Sequence, residues 1–529
     1  MKIKKSLFFS LVLFCVQIPS FAQTDAAAKY ANIISTDALK KHLTIIAGDE
    51  MAGRETGTEG QRKAAAYIEE QFKLIGLKTA AGMKGYQQYF PLFQDSMLNS
   101  GVAIGKQFGE YGKDFIIPIN SNETGVFKGN KIVFAGYGIE DEKYNDYAGL
   151  NVKGKIVVFF LGEPKADGKY IINGKTTGGK WTYPGLSKKI ALAKSKGAAG
   201  AFVINPAETS FKLRAINDSK KSTIVFRSIM TDEKTLNFAM ISQSYAKILL
   251  GNTFDSVLPM AVNKKPFESK WLVQIKNKVS YSYEKKRNFT NASNVLGIIE
   301  GTDKKDEYVF LTGHYDHLGM HDGKIYHGAD DDGSGTVAVI QMAAAFAAAA
   351  EQGYRPRRTI VFMTVSGEEK GLWGSEYYSD HPVYPLAKTT VDLNTDMVGR
   401  IDPNRTIGDS MNYVYVIGHD KLSTDLPVIN EGVNNKYTKL EFDYKFDDPN
   451  DQERIFYRSD HYNFARKGVP ILFFFDGIHK DYHKPSDTVD KINWDLYAKR
   501  VQMIFHTAWE IANRNEMLKR DLALPEEGR

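Results

Sequence analysis

At 529 residues, 43% hydrophobic and 25% charged, the chain has the composition of a globular protein with enough apolar mass for more than one core. Its formal charge of +6 falls to about +3 once Lys2, Lys4 and Lys5 are set aside as part of an export signal, and so balanced a surface gives no support for nucleic-acid binding. The one cysteine, Cys15, lies in that same signal, which excludes disulfides, a cysteine nucleophile and a thiolate zinc site from the mature chain.

The opening residues, MKIKKSLFFSLVLFCVQIPSFAQ, place three lysines before an apolar run from Leu7 to Ile18 and a small-residue cleavage site at Ser20-Phe21-Ala22. Residues 1–22 therefore read as a signal peptide, and the protein as exported, periplasmic or extracellular. Phe14 precedes Cys15 where lipid attachment wants a small residue, and the apolar run is shorter than the roughly 20 residues of a spanning helix. No later stretch reads as apolar enough to cross a membrane, so no stable insertion is expected after cleavage. Residues 35–77 read as two helices. Leu39, Leu43, Ile45 and Ile46 mark the apolar face of the first; after the polar turn AGRETGTEGQ, Thr58 and Gln61 form a capping box for the second, which Gly76 ends.

From 98 to 268 the texture changes to short β-like runs, KIVFAGYGI, GKIVVFFLG and AAGAFVIN, with one helix-like stretch, LSKKIALAKSKG. From about 270 strands and helices alternate, with TVAVIQMAAAFAAAAEQG the clearest helix. The expected fold is α/β: a mainly parallel mixed sheet, covered by helices on both faces, with an inserted β-rich α+β domain. The boundaries read as 23–97 and 269–529 for a discontinuous main domain and 98–268 for the insert.

Five segments of the main domain carry metal-binding side chains: GHYDHLG (313–319), GADDDGSG (328–335), SGEEKG (366–371), NTDMVG (394–399) and YHKPSD (482–487). Four follow strand-like runs, YVFLT, RRTIVFMTV, TTVDL and VPILFFFDG, and ligands of an open α/β sheet collect at the carboxyl ends of its strands. If the first strand persists, His314 and Asp316 share a face, and Asp316 either backs an imidazole or orients a ligand from elsewhere. Asp330, Asp331 and Asp332 either complement a helix dipole or repel one another in a dry pocket that a cation relieves. Glu368 and Glu369 can divide labour, one on metal and one accepting a proton from water. Asp396 ends an apolar strand, and His483 lies in a proline-containing loop. Their convergence points to a two-metal hydrolase.

The order and spacing of GHxDHLG, GADDDGSG, SGEExGLxGS, DMVG and the late histidine resemble the M28 family of zinc peptidases, which includes leucyl aminopeptidases and glutamate carboxypeptidase-like proteins. The resemblance covers 35–77 and almost all of 285–500. It implies two Zn2+ ions with Asp330 bridging them, His314 and Asp396 completing one site, and Glu369 and His483 the other. Glu368 becomes the general base, Asp316 a partner of a ligating histidine, and Tyr457 a phenol assisting the tetrahedral intermediate. A cis peptide often follows the bridging aspartate, here Asp330–Asp331. The insert resembles a protease-associated domain. His327 departs from the asparagine relatives often carry; it, His317, His321, His461 and His479 read as structural, supporting or exposed. The implied function is an aminopeptidase acting on peptides through a metal-bound water. A carboxypeptidase or dipeptidase of the same family is the alternative, with Arg400 and Arg458 as candidate cations. A non-catalytic receptor-like protein and a glutaminyl cyclase stand further off, because the ligand set is complete.

Overall fold

The computed structural model describes residues 20–226, 235–448 and 450–524, so residues 1–19 of the signal peptide expected at 1–22 lie outside the described region. The chain divides into two compact units, Met1–Phe90 with Asn291–Arg529, and Pro91–Thr290. The second unit starts before residue 98 and ends after residue 268. The reason is local: the strands Gln87–Ile104 and Gln274–Ile299 carry the chain between the units and run through the composition changes that set the sequence-based boundaries.

In the first unit the sheet is built from the C-terminal part of β1 (Gln274–Ile299) with β2 (Lys304–His314), β3 (Arg358–Val365), β4 (Thr389–Thr395), β5 (Tyr413–Ile417), β6 (Glu441–Asp443) and β7 (Ile471–Phe475). Its order is β6-β5-β7-β4-β2-β3-β1. The pairs β2/β3, β2/β4, β4/β7 and β5/β6 are parallel, while β1/β3 and β5/β7 are antiparallel. β3 and β4 follow one another in the chain but flank β2 on opposite sides. The carboxyl end of β2 is thus a topological switch point, the place where crossovers leave a crevice. Register aligns the strand ends there: His314 opposite Val365, Thr312 opposite Asn394, and Thr395 opposite Phe474.

Helices α1 (Ser20–Ala31), α2 (Thr36–Ile46), α3 (Glu59–Ile75), α4 (Gly335–Glu351) and α5 (Trp494–Asn513) pack into one layer, and the short helix His461–Ala465 packs against β4 and β7 and against the helix Trp373–Asp380. α2 begins at Ser35, whose hydroxyl accepts from the Ala38 N–H, and buries Leu39, His42, Leu43 and Ile46; Ile45, expected on that face, is 38% exposed because the helical period turns it outward. The capping box of α3 does not form. The Thr58 hydroxyl donates to the Glu55 carbonyl, and Gln61 is drawn inward to the Tyr315 hydroxyl. Gly76 does end α3, in the left-handed region at φ 83°.

The run Ala329–Glu351 passes the length and hydropathy test for a membrane span, with mean hydropathy 1.5, contrary to expectation. Most of it is buried inside the fold, where its alanines let neighbouring helices and strands approach closely and Phe346 stacks on Phe505 and Trp509. The second unit has its own core around Phe134, Phe160, Phe202 and Tyr281. Its strands 125–134, 156–160, 200–204 and 238–241 are successive parallel neighbours, and a helix spans Leu186–Ser195.

Candidate metal centre

β2 ends at His314, which is buried. Its Nε2 lies 3.3 Å from Asp331 Oδ1, 3.6 Å from Asp396 Oδ1 and 3.8 Å from Glu368 Oε2. Its Nδ1 faces the backbone carbonyl of Asp316 at 3.1 Å, which fixes the ring with Nε2 turned to the acids. The strand does not persist to Asp316, whose carboxylate instead accepts from the Thr56 hydroxyl (2.7 Å) and the Glu368 N–H (3.2 Å). Asp316 therefore works through its carbonyl on the histidine and through its side chain on the Glu368 turn.

The three consecutive aspartates take three separate tasks. Asp330 accepts from the Gly399 N–H at 2.7 Å and sits 3.1 Å from His479 Nε2, away from the cluster, so the bridging position implied for it falls elsewhere. Asp331 is the aspartate at the centre of the cluster: Oδ1 faces His314, and Oδ2 lies 3.1 Å from His483 Nε2 and 3.8 Å from His317 Nδ1. Asp332 accepts from the backbone N–H groups of His314, Gly335 and Met397. The sorting follows from the backbone, since Asp331 (φ −98°, ψ 100°) and Asp332 (φ −116°, ψ 49°) leave helical geometry between Gly328 and α4. The cis peptide is Asp331–Asp332, one residue later than expected. Asp487 fixes the turn by accepting from the N–H groups of both Asp330 and Asp331.

Glu369 lies 3.2 Å from His483 Nε2 and 2.7 Å from His317 Nδ1. Asp396 is held by the Ser459 hydroxyl at 2.6 Å. The described residues thus bring together His314, Asp331 and Asp396 in one group and His317, Asp331 and Glu369 in a second, with His483 against the second and Glu368 beside the first. Burial and the charges of Asp396 and Glu369 push the Glu368 carboxyl well up, with His314 opposing. Burial also works against ionised Asp331, yet the His317, His314 and His483 imidazoles hold it well below the ordinary range.

These residues fit a pair of cations. His314 Nε2, His317 Nδ1, Asp331 Oδ2 and Glu369 Oε1 are all buried without a hydrogen bond, although they crowd one another. Such orphaned atoms are costly, and positive charge at their common focus relieves them.

A cavity beside the cluster is lined by Asp331, Glu368 and Asp396 and by Ile455, Phe473, Phe475, Ile478, Arg458 and Tyr482. Tyr457 is not among its lining residues; its ring packs on Phe456, Tyr462 and Arg454. The phenol on the cavity is that of Tyr482, held by the Arg458 guanidinium at 3.1 Å. Arg400 is engaged by Asp481 at 3.0 Å.

Two residues escaped sequence reading. His317 belongs to the cluster, signalled only by its place three residues after His314. Arg54, in what reads as an exposed polar turn, is fully buried and donates to the carbonyls of Ile46, Tyr315, His327 and Gly328, pinning two site loops. His327 faces the Ala47 carbonyl, His321 the Leu318 carbonyl and His461 the Phe456 carbonyl, all away from the cluster.

Residues 294–508 match the family model described as Peptidase family M28. A probable glutamate carboxypeptidase of Zea mays is 33% identical over 119 residues, which is 22% of this chain and 16% of that protein. A probable leucine aminopeptidase of Arthroderma otae is 25% identical over 227 residues, 42% of this chain and 58% of that one. The chain thus spans less than two thirds of the length of these curated relatives. An aminopeptidase from Aneurinibacillus sp. strain AM-1 shares the fold, with a TM-score of 0.50 at 17% identity over 93% of this chain and 97% of that one.

Proposed function

From the M28 peptidase domain that this chain carries across residues 294–508, we propose an exported two-zinc metallopeptidase that removes N-terminal residues from peptides. The observation that carries the metal reading is the set of orphaned buried nitrogens and oxygens around Asp331. His314 and Asp396 would hold one ion, Glu369 and His483 the other, and Asp331 would take the shared role first expected of Asp330. Bound there, zinc supplies a Lewis acid that polarises the scissile carbonyl and acidifies the attacking water.

The chain's own residues do the rest. Glu368 stands beside the first group without belonging to either triad, so its carboxylate takes the water proton and returns it to the leaving amine. Asp316 steadies that carboxylate by accepting from the Glu368 N–H. The phenol role expected of Tyr457 passes to Tyr482, which lines the cavity and, with its oxygen accepting from Arg458, keeps its own O–H as a donor for the developing oxyanion. Burial pushes that phenol far up, keeping its proton in place for donation. Ile455, Phe473, Phe475 and Ile478 offer an apolar wall for the side chain of the residue released. The aminopeptidase-named relatives support cleavage at the amino end. The insert serves as a protease-associated-like module that takes no part in the chemistry.

One observation favours a second reading: Arg458 lines the cavity and supplies a cation for a substrate carboxylate, as a carboxypeptidase or dipeptidase needs. Hydrolysis of free-amine aminoacyl reporters, N-blocked reporters and C-terminal reporters, each with and without a chelator, separates the two. Chelator-sensitive cleavage of the free-amine reporter alone is the expected result. Cleavage confined to blocked or C-terminal reporters overturns the aminopeptidase reading in favour of the second.

A further inference from the structure

The two halves of the cluster are unequal. Around His314 stand Asp331 and Asp396, with Glu368 a little further off and, among the described residues, no second imidazole. Around the other focus stand Asp331 and Glu369 with two imidazoles, since His317 Nδ1 lies 2.7 Å from Glu369 and 3.8 Å from Asp331, and His483 Nε2 lies 3.2 Å and 3.1 Å from the same two acids. His317 is fully buried, and neither ring nitrogen has a hydrogen bond, so its short approach to Glu369 lacks the direction a hydrogen bond needs. Its ring is also held in place. A Cβ at Gly328 would come within 2.5 Å of it, and Gly328 sits in the left-handed region at φ 55°, where glycine is favoured. A histidine serving only to orient Glu369 would donate an N–H along a straight line to it. A cation at Nδ1 instead turns one orphaned nitrogen into a ligand.

We propose that His317 is a direct ligand of the Glu369/His483 metal position, giving that position four protein donors and leaving three at the His314/Asp396 position. The inference rests on the two-zinc reading above. Four protein donors make a closed site of the kind that retains its ion, whereas three leave room for water and substrate. The centre is therefore asymmetric: a tightly held ion on the His317 side, and a more exchangeable one beside Glu368.

Zinc-edge X-ray absorption on the full-length zinc-loaded protein counts imidazoles without any variant, and titration with a chromogenic chelator reads the two affinities. We expect three imidazoles shared between two zincs. His317→Gln and His317→Ala should lower the count to two and weaken the tighter zinc by about 10- to 100-fold. His314→Ala should instead weaken the looser one. Two imidazoles in the unmodified protein, or unchanged affinities in both His317 variants, would overturn the proposal while leaving a two-zinc enzyme intact. Failure of the unmodified protein to bind zinc would overturn the metal reading and this inference together.

Discussion

Both units bring parallel strands to a common carboxyl edge, and they finish that edge in opposite ways. In Pro91–Thr290 the edge is closed by the fold's own groups. The buried Lys189 ammonium donates to the carbonyls of Tyr137, Phe160 and Gly162, and Asp146 accepts from the Tyr137 and Ile139 N–H groups and the Tyr144 hydroxyl. In the first unit the edge is left with unpaired nitrogens and oxygens facing one another. All eleven histidines of the chain lie outside Pro91–Thr290. Topology supplies the crevice in either case. Function is decided by whether the strand-end side chains satisfy each other or wait for something else.

The sharpest way to break this contrast is Glu368→Gln, which should lower turnover by about 10²- to 10⁴-fold while zinc content, measured by elemental analysis, stays at the unmodified level. Retained activity would remove Glu368 from the chemistry. Next in size is metal removal. At 100 times the dissociation constant a bound ion adds about 2.7 kcal/mol, so chelation should lower hydrogen-exchange protection in peptides from 291–398 and leave 125–204 unchanged. Equal loss in both units would mean that the second edge also depends on metal. Lys189→Met probes the closed edge: it leaves buried carbonyls without a donor and should cost about 2 kcal/mol of denaturant stability at constant zinc content. The last effect is acidic. Burial depresses His461 to about 3, and burial with Lys436 depresses His506 to about 4, so the folded first unit binds fewer protons than the unfolded chain below the ordinary imidazole range. Stability present above pH ~6.5 is thus lost as pH falls toward those values, by up to about 1.4 kcal/mol per pH unit for each histidine. Denaturation midpoints from pH 7 to 5 test this, and His461→Gln should flatten the slope.

The strand–helix alternation and the positions of the strand ends were readable because they rest on hydrophobic period and length, which the sequence carries directly. The register within Asp330-Asp331-Asp332 was not. Three identical side chains in a row differ only in backbone dihedrals, and those are set by Gly328, Asp487 and the start of α4. His317 was passed over for a related reason: alternation along a strand says nothing once the strand stops at His314. Thr58 and Gln61 matched a local capping pattern, but burial against Tyr315 offered Gln61 a tertiary partner instead. Arg54 looked solvated because its neighbours are polar, whereas its five N–H donors suit it to gathering carbonyls from distant loops.

Arg54 also sets a timetable. Its partners Tyr315, His327 and Gly328 lie 261, 273 and 274 positions downstream, and the turn carrying Asp331 is fixed by Asp487, 156 positions beyond it. The contiguous stretch Pro91–Thr290 can collapse while the ribosome is still at work, but the other unit must hold its first ninety residues in waiting. The cluster around Asp331 therefore cannot take its folded form until Asp487 has joined the chain.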